Sequence, residues 1–299
     1  MLTLAHITDI HLPPLPTVSW RALANKRVLG YLSWHRKRKH EHRDEVLAAL
    51  CADVAAQDPD HLCITGDLTN IGLPEEYAAV ARWLTGLGSE ERVSIIPGNH
   101  DAYIAIPDET TAARWAPWMR GDGGTPGFPY LRRRGEVSII GVSTAVATAP
   151  FMASGRVGSA QTRRLAAMLA AEREHDQYRI VMIHHPPQAS AVSWRKGLHD
   201  AARLREVFSR EGAELVLHGH LHTSLRTEIP GRDGPIPVFG AASASADGGH
   251  GEAAQYHLIH IGDDAADLRI VSRRYDRASG RFEPQPDVAL APAYAMAGG

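Results

Sequence analysis

Five short polar clusters, each directly behind an apolar run of strand length, constrain this chain more than any other feature. They are Asp9-Ile10-His11 after residues 2–8, Gly66-Asp67 after 61–65, Gly98-Asn99-His100-Asp101 after 93–96, His184 after 179–183, and Gly219-His220-Leu221-His222 after 214–217. Stretches of helical period lie between them. Residues 43–57 carry Val46, Leu47, Leu50, Cys51 and Val54 on one stripe. Pro74 with Glu75 and Glu76 opens a second helix that runs to about Gly86. Ser159 reads as the N-cap of a third, which carries Leu165, Met168 and Leu169, and Gly212 closes a fourth over 200–210. Further strands are expected at 137–142 and, with no helices between them, near 236–239, 256–261 and 268–275. Alternating strands and helices predict α/β organisation, with the late strands as antiparallel additions. In such sheets ligands gather outside the carboxyl ends of the strands. Five clusters far apart in sequence are therefore expected to meet in one place.

The donors in those clusters are carboxylates, imidazoles and an amide oxygen, a set that suits manganese, iron or zinc. The absence of thiolates argues against a structural zinc site. Seven such donors are too many for one ion and suit two, with a carboxylate between ions roughly 3.5–4 Å apart.

The 299 residues suffice for one large domain, and 44% apolar with 22% charged residues is an ordinary globular composition. With 32 Lys and Arg against 34 Asp and Glu, nothing global draws the chain to nucleic acid, and no such partner is expected. Cys51 and Cys63 read as reduced, buried thiols rather than a disulfide framework. The start, MLTLAHITDIHLPP, lacks the basic and apolar regions of a signal peptide, and no window reaches the roughly 18 apolar residues of a membrane span. The expected location is cytoplasmic. Residues 1–282 read as a single domain with an insertion at about 20–43, and 283–299 as a Pro- and Ala-rich tail, extended or poorly ordered.

Taken in order, Asp-x-His, Gly-Asp, Gly-Asn-His-Asp, a lone His behind a strand and Gly-His-x-His resemble the signature of the calcineurin-like metallophosphoesterases. The resemblance spans residues 9–222, about three quarters of the chain. It implies the fold of that family, a four-layer αββα double β-sandwich. It also implies that Asp9, His11 and His222 hold one metal, that Asn99, His184 and His220 hold a second, and that Asp67 bridges them. His100 would face the phosphate and protonate the leaving oxygen or stabilise its charge, and Asp101 would orient the His100 ring by accepting its other N–H. The implied reaction is in-line attack of metal-bound hydroxide on phosphorus, with no covalent intermediate.

The Asn-His-Asp turn and His184-His185-Pro186-Pro187 look more like the bacterial branch with cyclic-nucleotide and glycerophosphodiester phosphodiesterases, so a small phosphodiester is favoured. Lipid-linked pyrophosphate hydrolases typically carry Arg where His100 stands, and phosphoprotein phosphatases usually have Glu in place of Asp101. A non-catalytic scaffold of this fold should lack His100 or several ligands. An isologous dimer is the commonest assembly, but no residue argues for it.

The remaining histidines attract plainer readings. His185 and His218 are expected to be structural, and His6 a satisfied core histidine. His35, His40 and His42 are expected on a solvated face, and His250 in a loop. Residues 20–43, WRALANKRVLGYLSWHRKRKHEHR, mix Trp20, Leu23, Val28, Leu29, Tyr31, Leu32 and Trp34 with a dense basic run. The segment reads as a helical excursion packed on the domain by its apolar side. The sharper alternative is a lid that contacts an anionic lipid surface, at the inner membrane face, or a phosphate-bearing substrate. Trp115, Trp118, Phe128 and Tyr130 either cover the metals and stack on a flat group or fill the core beneath a long loop.

Overall fold

Residues 1–104, 112–124, 126–188, 192–262 and 268–286 are described by the computed structural model. Alternation along its strands shows how the layers form. In β5 (Val137–Val142), β6 (Tyr178–Ile183) and β7 (Leu215–His218), successive side chains point to opposite faces. Ile139, Ile180, Met182, Leu215 and Leu217 enter one buried cluster, and Ile140, Val181, Ile183 and Val216 enter another. Such strands are apolar on both faces because both faces are covered. The second cluster is closed by Leu165 and Leu169 of α5 (Ser159–Glu174) and by Leu204 and Phe208 of α6 (Ala201–Glu211).

The first cluster is shared with the other sheet, whose strands are β1 (Leu2–Ile7), β2 (His61–Ile64), β3 (Val93–Ile95), β10 (Gln255–Ile261), β11 (Leu268–Asp276) and β12 (Arg281–Pro284). Helices α3 (Asp44–Gln57) and α4 (Pro74–Leu87) add Val46, Leu50, Tyr77 and Val80 to it. The result is the expected αββα arrangement: two mixed six-stranded sheets face to face, flanked by helices. Their orders are β12-β11-β10-β1-β2-β3 and β4-β5-β6-β7-β9-β8, where β4 is Tyr130–Arg134, β8 is Leu225–Pro230 and β9 is Pro235–Gly240. β1, β2 and β3 run parallel, as do β5, β6, β7 and β9. All five polar clusters therefore leave the carboxyl ends of parallel strands.

Several expectations need correction. Gly158, not Ser159, occupies the N-cap of α5. β4, β8 and β12 were not anticipated. β12 pairs with β11, so ordered structure continues through Pro284, while 287–299 lie outside the described residues. Trp115, Trp118 and Tyr130 are buried and donate to the carbonyls of Tyr77, Gly88 and Ile95, so they fill core. Residues 105–111 of the same loop are outside the description. Cys51 and Cys63 are free, and burial pushes their thiols up to about 11 and about 12. Among the described residues no helix is long and apolar enough to cross a membrane.

The 20–43 segment is helical, with α1 (Arg27–Ser33), a π-helical turn (Trp34–Arg38) and the short α2 (Lys39–Glu41). Its buried anchors are not the apolar side chains expected to pack on the domain. Trp20, Val28 and Leu32 are exposed, whereas Arg27, Gly30 and His42 are buried. Arg27 donates to the carbonyls of Ile71 and Gly72, and Gly30 lies where a Cβ would strike Tyr103 and Ile71.

The loop behind β2 carries Asp67, and one buried carboxylate shapes it. Glu76, in the first turn of α4, accepts the N–H groups of Asn70 (2.6 Å), Ile71 (3.2 Å) and Leu73 (2.9 Å). Glu76→Ala strands these donors and is expected to lower unfolding free energy by roughly 2–4 kcal/mol, read by urea denaturation. An unchanged midpoint would show that the loop does not depend on Glu76.

Candidate metal centre

Three of the five ligand loops are held in a backbone shape that ordinary strands avoid. Asp9, His11, Asp67, His220 and His222 have φ of 50°, 42°, 53°, 74° and 55°. Left-handed backbone is uncommon outside glycine and concentrates at functional sites. Two motif glycines are explained by close approach. A Cβ at Gly98 would run into the carboxylate and N–H of Asp67, and one at Gly219 would strike Thr8 and Asp9. Hydrogen bonds then join neighbouring loops, the first across the two sheets and the other two within a sheet. His220 N–H donates to Asp9 Oδ2 (2.9 Å), Gly219 N–H to the His184 carbonyl (3.1 Å), and His11 N–H to the Asp67 carbonyl (2.9 Å).

The seven expected donors meet. Asp9, His11, Asp67 and His222 form one group and Asp67, His184 and His220 another, with donor atoms within 4.8 Å of one another in each. Asp67 belongs to both. Asn99 Oδ1 joins the second group, 2.8 Å from His220 Nδ1 and 3.2 Å from His184 Nε2. Other ring nitrogens fix the tautomers. His11 Nδ1–H donates to the Thr69 carbonyl (3.0 Å) and His184 Nδ1–H to the Thr65 carbonyl (2.7 Å). This leaves each Nε2 lone pair facing inward, the arrangement in which an imidazole binds metal. His11 Nε2 lies 3.2 Å from His222 Nε2, and His184 Nε2 lies 3.3 Å from Asp67 Oδ2. Lone pairs and carboxylate oxygens converging without donors between them are the pattern a cation satisfies. The residues present fit metal ions.

The electrostatics agree. Burial alone would raise the Asp67 carboxyl, but His184, His100 and His11 hold it well below its usual range. Burial disfavours the His184 imidazolium, yet Asp67 and Asp9 outweigh it and bring the group up to about 9. His220, buried and beside His184, falls to about 3. The buried carboxylates favour positive charge at His184, while burial keeps His11 and His220 neutral.

His42 is a correction. It was expected on a solvated face, but it is buried, its ring centroid 4.7 Å from that of His11, and it groups with His11 and His222 as a further candidate metal donor. Its Nδ1–H donates to Ser245 Oγ (2.8 Å), and its buried Nε2 has no partner. The missed signal is spacing. Arg38 and His42 are four apart, and His42 N–H donates to the Arg38 carbonyl (2.9 Å), so one helical turn turns both inward.

Asp101 is a second correction. It does not touch the His100 ring. Its carboxylate accepts the N–H groups of Leu68 (3.0 Å), Thr69 (2.9 Å) and Gly98 (2.9 Å) and the Thr69 hydroxyl (3.0 Å). It ties the loop behind β2 to the loop behind β3, and burial together with Asp67 raises its carboxyl to about 7. The Asn70 carbonyl holds His100 instead, accepting Nδ1–H at 2.5 Å. His100 N–H donates to Asp67 Oδ1 (2.7 Å), and burial with the nearby Arg38 charge lowers the ring to about 3. His185 and His218 are buried, bonded to Thr144 and to the Gly219 carbonyl, and stand outside both metal groups. His6 is buried on Thr65. His250 is exposed.

The sequence profile of calcineurin-like phosphoesterases matches residues 2–224. The chain belongs to the calcineurin-like phosphoesterase family. Among curated proteins it is 28% identical over 224 residues to a probable cyclic nucleotide phosphodiesterase of Synechococcus, covering 74% of this chain and 73% of that one. It is 26% identical over 230 residues to a 3',5'-cyclic-nucleotide phosphodiesterase of Nostoc, covering 76% and 74%. Among solved structures, a dimetal phosphatase of Danio rerio superposes with a TM-score of 0.63 at 11% identity, over 95% of this chain and 98% of that one, a likeness of fold. This family member is a metal-dependent hydrolase of phosphoric esters.

Because Asp101 supports backbone rather than an imidazole, Asp101→Ala is expected to lower thermal stability and metal content together. A variant that keeps both and loses only turnover would return Asp101 to the orienting role.

Proposed function

We propose that the chain hydrolyses a small phosphodiester at a two-metal centre. The observation that carries this is Asp67, shared by two groups of donors, with the His100 ring packed edge-on at 4.8 Å from that of His11. One metal would take Asp9, His11 and His222, with His42 Nε2 as an added donor. The second would take Asn99, His184 and His220, and Asp67 would bridge. The nitrogen and oxygen donors suit manganese, iron or zinc. Bound there, such ions would lower the pKa of a shared water and neutralise phosphoryl charge.

The protein's own groups have separate tasks. Asp67 presents one oxygen to the metal side and fixes the backbone of His100 with the other. Thr69 and Thr65 hold His11 and His184 by their second nitrogens, so that the ligands need no rearrangement. Asn70 holds His100 by Nδ1–H and leaves Nε2 directed away from that carbonyl, where, once it takes up a proton, it can donate to the leaving oxygen. The named relatives make a cyclic nucleotide the first natural diester to try.

Purified protein, with its metals quantified, is assayed on bis-p-nitrophenyl phosphate and on p-nitrophenyl phosphate. The diester is expected to be cleaved faster. Asp67→Ala should lose metal and activity, whereas His100→Ala should keep metal and lose turnover by roughly two to four orders of magnitude. Faster cleavage of the monoester would replace the substrate class with a phosphomonoester. His42→Ala is expected to weaken metal binding by about tenfold or more in calorimetric titration. Unaltered affinity would remove His42 from the donor set.

A further inference from the structure

We infer that Arg38, carried by the helical excursion at 27–41, is the cation that grips the substrate phosphate, and that the excursion forms one wall of the substrate cavity. The inference rests on the phosphodiester reading and adds to it a residue outside the motifs that identify the family.

Three observations carry it. The terminal nitrogens of Arg38 lie 3.1 Å and 3.0 Å from Nδ1 and Nε2 of His100. Nδ1–H is committed to Asn70, so the contact that an arginine donor can complete is the one to Nε2, the nitrogen expected to meet the phosphoryl group. Second, among the described residues no carboxylate lies in ion-pair contact with Arg38. Glu41, on the same segment, is taken by Lys37 at 3.3 Å. A guanidinium drawn out of water toward a neutral imidazole gains little, because five N–H donors in a fixed fork match a carboxylate or phosphate. Asp67 and Asp9 favour its charge from further off. Once those carboxylates serve metal ions, an incoming anion is the remaining partner of matching charge and shape.

Third, a cavity of about 480 Å³ opens at this point. Its walls include Arg38, His100, Asn99, Tyr103, Phe151 and Met152. It has room for a phosphate and one flat or apolar arm, and Asn99, one of the candidate metal donors, lines it beside His100. Lys26 also lines it but is already spent, donating to Thr148 Oγ1 (2.7 Å) and the Met152 carbonyl (3.0 Å). Those bonds tie the excursion to residues 148–152. Arg36 and Lys37 also line the cavity, but both are exposed and Lys37 is paired with Glu41, so Arg38 is the cation in contact with His100. The π-helical turn that ends at Arg38 widens the coil where the side chain turns inward. The basic run 35–43 therefore has two members at the site, Arg38 and His42, while His35, Arg36, Lys37, Lys39 and His40 are exposed.

The test uses the metal-loaded full chain with inorganic phosphate and bis-p-nitrophenyl phosphate as probes. Arg38→Ala, Arg38→Lys and Lys39→Ala are compared; Lys39 is exposed and carries the same charge on the adjacent position. Arg38→Ala is expected to weaken phosphate inhibition and raise KM for the diester by about 10- to 100-fold at unchanged metal content. Arg38→Lys should recover part of the loss, and free guanidinium ion should partly rescue Arg38→Ala, which no loss of packing would allow. Lys39→Ala should stay within about twofold of the parent protein. Phosphate inhibition and KM within about twofold in Arg38→Ala, without guanidinium rescue, would overturn the assignment. Calorimetric phosphate binding that depends on Arg38 in a protein that cleaves neither ester would keep the arginine and discard the phosphodiesterase reading.

Discussion

A carboxylate buried between two sets of imidazoles governs this structure. An unpaired charge away from water is costly, so Asp67 needs partners on both sides. His184 stands 3.3 Å from one oxygen, and the His100 N–H donates to the other. That second bond joins the carboxylate to the turn behind β3. Because Gly98 has no side chain, the turn can approach Asp67 closely enough to make it. Asp101 draws the same two loops together from behind through three backbone N–H groups. The place of the reacting histidine thus follows from how one buried charge is satisfied.

The loops could not hold these shapes alone. Five candidate ligands sit in left-handed backbone, which surrounding structure must enforce. The sandwich does this by burying both faces of β5, β6 and β7, and by bringing the carboxyl ends of two parallel sets of strands to one edge. Hydrogen bonds between loops of different sheets, such as His220 to Asp9 and His184 to Thr65, then close the ring. A rigid frame that carries functional loops at one edge is a common solution in sheet proteins.

The excursion between β1 and α3 shows how such a frame acquires particular chemistry. It touches the site at two residues four apart, Arg38 and His42, while Trp20, Val28 and Leu32 remain exposed. His42 is steadied by Ser245, from a segment behind β9, and Arg43 N–H donates to the Ser245 carbonyl. The carboxyl end of the excursion is thereby pinned by a segment far along the chain.

Local order was legible where chemistry and period coincide. Apolar runs followed by Asp, His or Asn marked the strand ends, and a 3.6-residue stripe marked α3 and α4, because both signals depend on neighbours in sequence. β4, β8 and β12 were missed: their exposed, partly polar patterns become strands only when β5, β9 and β11 lie alongside. Asp101 was misjudged because adjacency to His100 says nothing about which way a carboxylate turns. His42 was misjudged because a charged run reads as solvent-facing until a second chain segment covers it. The sequence by itself determined the donor types, their order and the fold that brings them to one edge. Only the tertiary structure decided that Asp67 stands between two groups, that Asn70 holds His100, and that the excursion turns Arg38 and His42 inward. Those outcomes depend on contacts between residues far apart in the chain, where burial and hydrogen-bond satisfaction choose the partner.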